Sequence, residues 1–224
     1  MNLKTLALSL LAAATLSSAA QLPITLPAPQ TTGGTPLSEA LAARKSTRSY
    51  DADRRLEPQM LSNLLWSAAG LNRPAEGKRT NPTAINAQEI DLYLFTAEGV
   101  YFYDFAANTL VEKAKGDHRA IIAGTPERGQ KFVMEAPVSV LIVGELSRYK
   151  GYEAPADRSC YDRTALMAAA DAGIVSQNIN LFCAANGLAT VTRATMDQEA
   201  IAKLLNLPAT ALPLLNNPVG YPAK

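Results

Sequence analysis

Apolar residues recur with two different periods in this chain, and the switches between them mark its elements. Pro58 opens a stretch in which Leu61, Leu64, Leu65 and Ala68 fall at i, i+3, i+4 and i+7, forming one apolar helix face that Gly70 stops. Upstream, Thr35-Pro36 reads as an N-cap followed by Pro at the first helical position, which predicts a helix to about Arg44. Residues 72–82 carry Pro, Gly, Asn, Lys and Arg without a period and read as a loop. Ile90 to Phe95 reads as a strand, Ala97-Glu98-Gly99 as a turn and Val100 to Phe105 as the next strand. Ala106 to Asn108 then turns into Thr109 to Glu112, completing a small antiparallel meander. Val138 to Val143 is an unbroken apolar run of strand length, expected to be buried on both faces. Arg163 to Asn186 is the longest helical pattern, rich in Ala and stopped by Gly187. Ala189 to Val191 fits a short strand, Asp197 caps a helix to about Leu205, and Leu212 to Tyr221 contains a final strand. Helices and strands mix without βαβ regularity, so the predicted class is α+β, one domain over residues 35–224 with no repeat.

The first 20 residues follow a different logic. Met1 to Lys4 is a short cationic start, and Leu6 to Leu16 is an 11-residue apolar stretch broken only by small polar residues. A bilayer span needs roughly 20 apolar residues, so no membrane anchor is expected. Ser18-Ala19-Ala20 supplies the small side chains that a signal peptidase reads. Residues 1–20 are therefore expected to be a signal peptide, with Gln21 the first residue of a periplasmic or secreted protein. Gln21 to Gly34 holds three prolines, three threonines and two glycines and reads as an extended arm.

Composition narrows the chemistry. Hydrophobic residues make up 48% of the 224 and charged residues 18%, enough apolar material for a proper core. Lys plus Arg total 21 against 20 for Asp plus Glu; without Lys4 the mature chain balances at 20 against 20. A nucleic-acid partner is not expected from such a balance. Two Cys and one His, His118, exclude zinc-finger and multi-His metal sites and leave little for Ser-His or Cys-His catalysis. Cys183 sits among apolar residues and Cys160 in a polar stretch; an exported protein permits a disulfide between them without requiring one.

Three clusters could carry chemistry. Arg44-Lys45-Ser46-Thr47-Arg48-Ser49 sets three cations and three hydroxyls at a helix end, which suits a phosphate and equally suits a solvated basic terminus. Asn81-Pro82-Thr83-Ala84-Ile85-Asn86-Ala87-Gln88 lies directly before a strand. Its small side chains would let backbone approach a flat ligand, and its amides offer both donors and acceptors, although an ordinary polar turn has the same composition. Asp171 to Leu188 places Gln177, Asn178 and Asn180 on an otherwise apolar helix, read either as a site or as a packed central helix with satisfied amides.

Taken in order, these clusters resemble the nitroreductase family. The resemblance rests on Arg44-Lys45-Ser46-x-Arg48, Pro82-Thr83-x-x-Asn86-x-Gln88, and Asp171-x-Gly173…Gln177-Asn178…Ala185-x-Gly187-Leu188. Glu135-Ala136-Pro137 before the apolar strand and Val219-Gly220-Tyr221-Pro222 also fit, so it spans about residues 37–222. The arginine-bearing loop before Asn81 is similar to that of the branch containing peptide-azoline dehydrogenases.

The resemblance implies a central, mostly antiparallel sheet flanked by helices, with FMN bound at a homodimer interface. It implies Arg44, Lys45 and Ser46 toward the FMN phosphate and ribityl chain, and Arg48 toward the flavin N1–O2 edge as an electrostatic stabiliser. Pro82, Thr83, Ala84 and Asn86 would reach the flavin from the partner subunit, and backbone of Thr192, Arg193 and Ala194 would lie near N5. A basic pair near the C-terminus commonly completes the phosphate site; here Lys224 is the one cation there, with Arg79 or Lys78 as substitutes. Flavin would carry the redox step, so no protein acid–base dyad or nucleophile is required. The expected cycle is ping-pong with a small organic substrate and an electron donor or acceptor still to be identified. Nicotinamide cofactors are scarce outside the cytoplasm, so an exported member needs another donor or acts as a dehydrogenase. The competing expectation is a flavin-binding or protein-partner redox module of the same fold without turnover.

Overall fold

The computed structural model describes residues 22–153 and 162–224. The expected leader over residues 1–20 and the Cys160 half of the disulfide question lie outside the described residues. In chain order the elements are β1 (Ile24–Thr25), α1 (Leu37–Ala43), α2 (Pro58–Ala69), β2 (Leu71–Arg73), β3 (Lys78–Arg79), β4 (Ile90–Phe95), β5 (Gly99–Asp104), β6 (Thr109–Lys115), α3 (Arg119–Ala123), β7 (Val138–Glu145), α4 (Arg163–Ala185), β8 (Ala189–Thr190), α5 (Gln198–Leu205) and β9 (Ala211–Gly220). Seven strands form one sheet in the order β1-β6-β5-β4-β7-β9-β8, every neighbouring pair antiparallel.

The period-2 alternation of β4 and β7 explains why both read as unbroken apolar runs. Ile90, Leu92 and Leu94, with Val138, Val140 and Ile142, face α2 and α4 and pack on Leu64, Leu65, Ala68, Ala172, Val175 and Ile179. Tyr93, Phe95, Leu141 and Val143 face the other way, toward Ile122 of α3, Ile201 of α5, Val133 and Met196. Alternate residues of a strand point to opposite faces, so a strand covered on both sides is apolar throughout, whatever the direction of its neighbours.

α4 is the central helix. Asp162 caps it by accepting the Thr164 and Ala165 N–H groups, and Gly187, at φ 65°, follows its last turn in the left-handed region that favours glycine. Ala168, Ala172, Val175, Ile179 and Cys183 form its buried stripe. Cys183 is a buried free thiol, its pKa pushed far up by burial.

Some expectations needed correction. Helix α1 starts at Leu37 with Pro36 in the cap position, while the Thr35 hydroxyl donates to the Ala185 carbonyl of α4 at 2.9 Å and so ties two helices together. The loop expected over 72–82 contains a short β2–β3 hairpin, turned by Gly77 at φ 62°. The N-terminal arm is extended but docked: Ile24 and Thr25 pair with Leu110 and Thr109, and the Pro27 carbonyl accepts bonds from the Ser62 hydroxyl and the Asn108 amide. The third meander strand runs on to Lys115, past Glu112.

Candidate functional site

After α1 the chain leaves helical geometry at Arg44 and runs extended along the end of the sheet. The Thr47 N–H donates to the Thr190 carbonyl at 2.9 Å. Tyr50 bridges to Pro222, and the Ala223 N–H reaches the Ser49 carbonyl at 3.4 Å. This docking depends on a tight crossing at Gly220, where a Cβ would lie 2.6 Å from Pro137 Cδ and 3.3 Å from the Tyr50 ring. The Glu135-Ala136-Pro137 and Val219-Gly220-Tyr221-Pro222 motifs thus seat the segment that carries the cations.

Arg44, Lys45, Ser46 and Arg48 are all exposed. None of the four side chains takes part in a hydrogen bond or ion pair among the described residues, whereas Arg55, Arg73, Arg119 and Arg148 each meet a carboxylate. Three clustered cations without an internal counter-charge make a surface that favours an anion. Lys224 follows Ala223 and is exposed on the same strip.

A polar network underlies the strip. Ser176 Oγ of α4 lies 2.6 Å from Thr192 Oγ1 and donates to Asn217 Oδ1 at 2.7 Å. Asn217 Nδ2 donates to Asn180 Oδ1 at 3.1 Å, and Asn180 Nδ2 donates to Thr192 Oγ1 at 3.0 Å. The residues just after β8 are therefore fixed from both α4 and β9. Thr192 and Ala194 are exposed, while Arg193 between them is buried. The Arg193 guanidinium donates to the Ile122 and Ala123 carbonyls, Asn216 Oδ1 and Gln130 Oε1, and its backbone N–H and carbonyl both pair with Asn216. Burial holds its pKa down to about 10. Arg193 serves the wall, and its neighbours form the exposed surface. Phe132, stacked on Tyr50 at 6.4 Å with Arg193 near its face, joins this wall to the cation segment.

Pro82, Thr83, Ala84 and Asn86 occupy a separate place within one chain. Their loop is tied to α4 through the Ala84 N–H, which donates to Asp171 Oδ2 at 2.7 Å. Asp171 lies five to nine residues before Ser176 and Asn180, about 8–14 Å along the helix. The loop is strained: Ile85, Asn86 and Gln88 have φ of 47°, 59° and 53°. Left-handed geometry costs roughly 1–2 kcal/mol per residue, and for a β-branched residue it is a true outlier. Ile85 is 74% exposed, so burial does not offset that cost. The shape is instead over-determined by polar ties. Gln88 N–H donates to Thr83 Oγ1, Arg79 and Arg148 both donate to the Gln88 carbonyl, and Lys78 Nζ donates to Asn86 Oδ1 at 2.8 Å. Arg148 is itself fixed by a bidentate pair with Asp91. The loop borders a polar cleft of about 320 Å³ that includes Arg73, Lys78 and Arg79.

Sequence reasoning did not find Ser176, Asn217, Glu89 or Tyr149. Asn216-Asn217 inside the otherwise apolar strand β9 was the available sign, since buried amides in a strand need partners. Among the described residues no group of three or more His, Cys, Asp or Glu is placed to hold a metal.

Known proteins share this fold. Residues 41–221 match the nitroreductase family profile. A Methanocaldococcus jannaschii protein named for nitroreductase is 27% identical over 193 residues, 82% of this chain and 90% of its own. A nitroreductase-type crystal structure from Ralstonia eutropha superposes with a TM-score of 0.77 at 33% identity, covering 90% of both chains. One from Anabaena variabilis, at 20% identity and a TM-score of 0.68, shares the fold over 90% of this chain and 42% of its own.

Proposed function

The chain belongs to the nitroreductase family, and on that footing we propose that it is an exported, FMN-dependent oxidoreductase, working as a homodimer on a small organic substrate in a ping-pong cycle. The observation that carries this reading is the unpaired cation strip at Arg44, Lys45 and Arg48, held by the Thr47 N–H on the Thr190 carbonyl two residues before the exposed Thr192. Its donor set fits FMN: guanidinium, ammonium and hydroxyl groups at Arg44, Lys45 and Ser46 suit the phosphate, and Arg48 suits an edge that gathers negative charge on reduction. FMN supplies the electron transfer when bound. The protein's part is to bind through Arg44, Lys45, Ser46 and Lys224, to hold positive charge at Arg48, and to set Thr192 and Ala194 rigidly beside the ring system. Pro82, Thr83, Ala84 and Asn86 fit the role of a preformed edge offered to the partner subunit's cofactor. Within the family we place the chain nearest the peptide-azoline dehydrogenase branch, on its arginine-bearing loop. Fluorescence titration with FMN tests the reading: saturable binding of one FMN per chain is expected, and failure to quench FMN emission contradicts it.

The outward face of α4 supports the homodimer. Leu166, Ala169, Ala170, Gly173 and Ile174 are exposed opposite the buried stripe, and nothing lies within 4 Å of where a Gly173 Cβ would sit. Leu37 and Leu41 of α1 are also exposed. Small residues flanked by large apolar ones suit close symmetric packing of two copies. Light scattering of the purified protein should give twice the chain mass, and a monomer at all concentrations contradicts the dimer.

Export rests on the order Lys4, Leu6 to Leu16, Ser18-Ala19-Ala20. N-terminal sequencing of protein from its native host should begin at or near Gln21; retention of Met1 removes the proposal.

A further inference from the structure

Besides the packing of Ala84 and Ala87 near Ala168, the strained Pro82–Gln88 loop is hydrogen-bonded to the central helix through Asp171, and beside Asp171 lies a second buried acid. Asp171 Oδ2 accepts the Ala84 N–H at 2.7 Å and lies 3.4 Å from the Tyr149 hydroxyl. Glu89, one residue beyond the loop, is 0% exposed; neither of its carboxyl oxygens makes a well-formed hydrogen bond, and the Asp171 carboxylate and the Tyr149 hydroxyl are the side chains beside it. A buried carboxylate without donors is among the costliest arrangements a fold can hold. A buried carboxylic acid beside a carboxylate is not: the acid O–H donates to its neighbour, and one proton serves both groups.

We infer that Glu89 and Asp171 are positioning residues, a carboxyl pair sharing one proton that clamps the Ala84–Gln88 turn onto α4 and so sets where Pro82–Asn86 presents itself to the partner subunit's cofactor. This inference rests on the FMN reading above. With the proton on Glu89, its O–H points to the Asp171 side chain, which accepts it and goes on holding the Ala84 N–H. Without the proton, two buried charges face each other and the grip on Ala84 is the part that can yield.

The surroundings agree on direction. Burial above all, then the Asp171 carboxylate beside it, pushes Glu89 up to about 7 from an ordinary 4.5. The remaining groups that face the pair are few. Tyr149, on the turn after β7, is held well above its usual range by burial and by both acids, so it stays a neutral donor. Arg79 of β3 is the cation whose field reaches Glu89, but its donors go to Gln88 and to the Ile90 carbonyl. Asp91 and Arg148 neutralise each other. Because the folded pair holds its proton more tightly than an unfolded chain would, the clamp is complete below pH of about 7 and loosens as pH rises through that value.

The test compares the parent chain with Glu89→Gln and Asp171→Asn, each a neutral mimic that keeps a hydrogen bond within the pair. Two quantities are followed from about pH 6 to about pH 8.5, a window spanning the titration: the Ala84 amide resonance, which needs no cofactor, and the FMN dissociation constant. In the parent, the Ala84 resonance should shift with a midpoint near neutrality, and FMN affinity should fall by about fivefold or more, the lower end of typical coupling between sites. The Ala84 response should vanish in Glu89→Gln and move to a lower midpoint in Asp171→Asn, where burial still raises Glu89 but the neighbouring carboxylate is gone; the FMN profile of Glu89→Gln, set against the parent's, separates out the titration of the FMN phosphate itself. If the Ala84 resonance does not move in the parent, or moves with the parent's midpoint in either variant, the shared proton is wrong. If it moves as expected while the FMN affinity follows the variants' profile, the pair is merely structural and the positioning role is overturned. If FMN fails to bind at any pH, the cofactor reading falls and the positioning role with it, while the Ala84 titration still shows whether the acids share a proton. The two failures are thereby distinct.

Discussion

Arg44→Ala should weaken FMN binding by about 10- to 150-fold, while Arg48→Ala should leave binding closer to the parent and act mainly on the cofactor's midpoint potential. A charge-assisted hydrogen bond is worth roughly 1.5–3 kcal/mol, and each 1.4 kcal/mol is about tenfold in affinity. Arg44 is exposed and has no carboxylate partner, so its loss disturbs nothing within the fold and the effect falls on the ligand. The same exposure makes the contribution sensitive to ionic strength, and the deficit should shrink in high salt. Arg48 lies four residues beyond Arg44 and two beyond Ser46 along an extended chain, about 13–14 Å and about 6–7 Å away at full extension. A cation held at an edge where negative charge gathers on reduction stabilises the reduced form more than the oxidised one, so its removal lowers the potential and slows reduction. Fluorescence titration and dye-coupled potentiometry on each variant check the pair. Equal effects of both variants on both quantities would mean that the strip acts as diffuse charge rather than as two assigned positions.

The second large effect is on stability. Arg193→Ala should destabilise the fold by roughly 3–5 kcal/mol, the size expected when one member of a buried charged network is lost. For a chain of this length that corresponds to a melting temperature lower by about 6–20 °C. Arg193 has no carboxylate beside it; its guanidinium is held by two main-chain carbonyls and the side-chain oxygens of Asn216 and Gln130. Truncation leaves all four acceptors facing a cavity. Arg193→Lys should recover only part of the loss, because an ammonium cannot reproduce the planar fork that meets acceptors in several directions. Thermal unfolding followed by circular dichroism is the check. A change of only a degree or two in Arg193→Ala would show that water replaces the guanidinium at little cost.

What the sequence made legible follows from the range of the interactions involved. The apolar runs Ile90 to Phe95 and Val138 to Val143 and the helical patterns after Pro58 and before Gly187 were readable because each carries its own period and its own stop. α3 was not, because five residues are too few to show a period and its cap residue His118 makes no side-chain bond to it. β1 was not, because two residues of an arm become a strand only when Leu110 and Thr109 are already in place. The cation strip was visible as a cluster, but its lack of counter-charge is a fact of tertiary structure: nothing in Arg44 to Arg48 says that no carboxylate folds back onto it. Glu89 was the least legible of all. Between Gln88 and Ile90 it looks like an ordinary polar residue at a strand edge, and only the packing of α4 and Tyr149 over it makes it a buried acid.

The central claim is that this chain binds FMN and exchanges electrons through it. The most direct measurement is the visible absorption spectrum of the purified, FMN-loaded protein, recorded anaerobically before and after a chemical reductant and again after adding an organic acceptor. The account expects a protein-bound oxidised-flavin band that bleaches with the reductant and returns with the acceptor. A folded protein that retains no flavin band after FMN loading and desalting, or a bound band that no reductant bleaches, would contradict it.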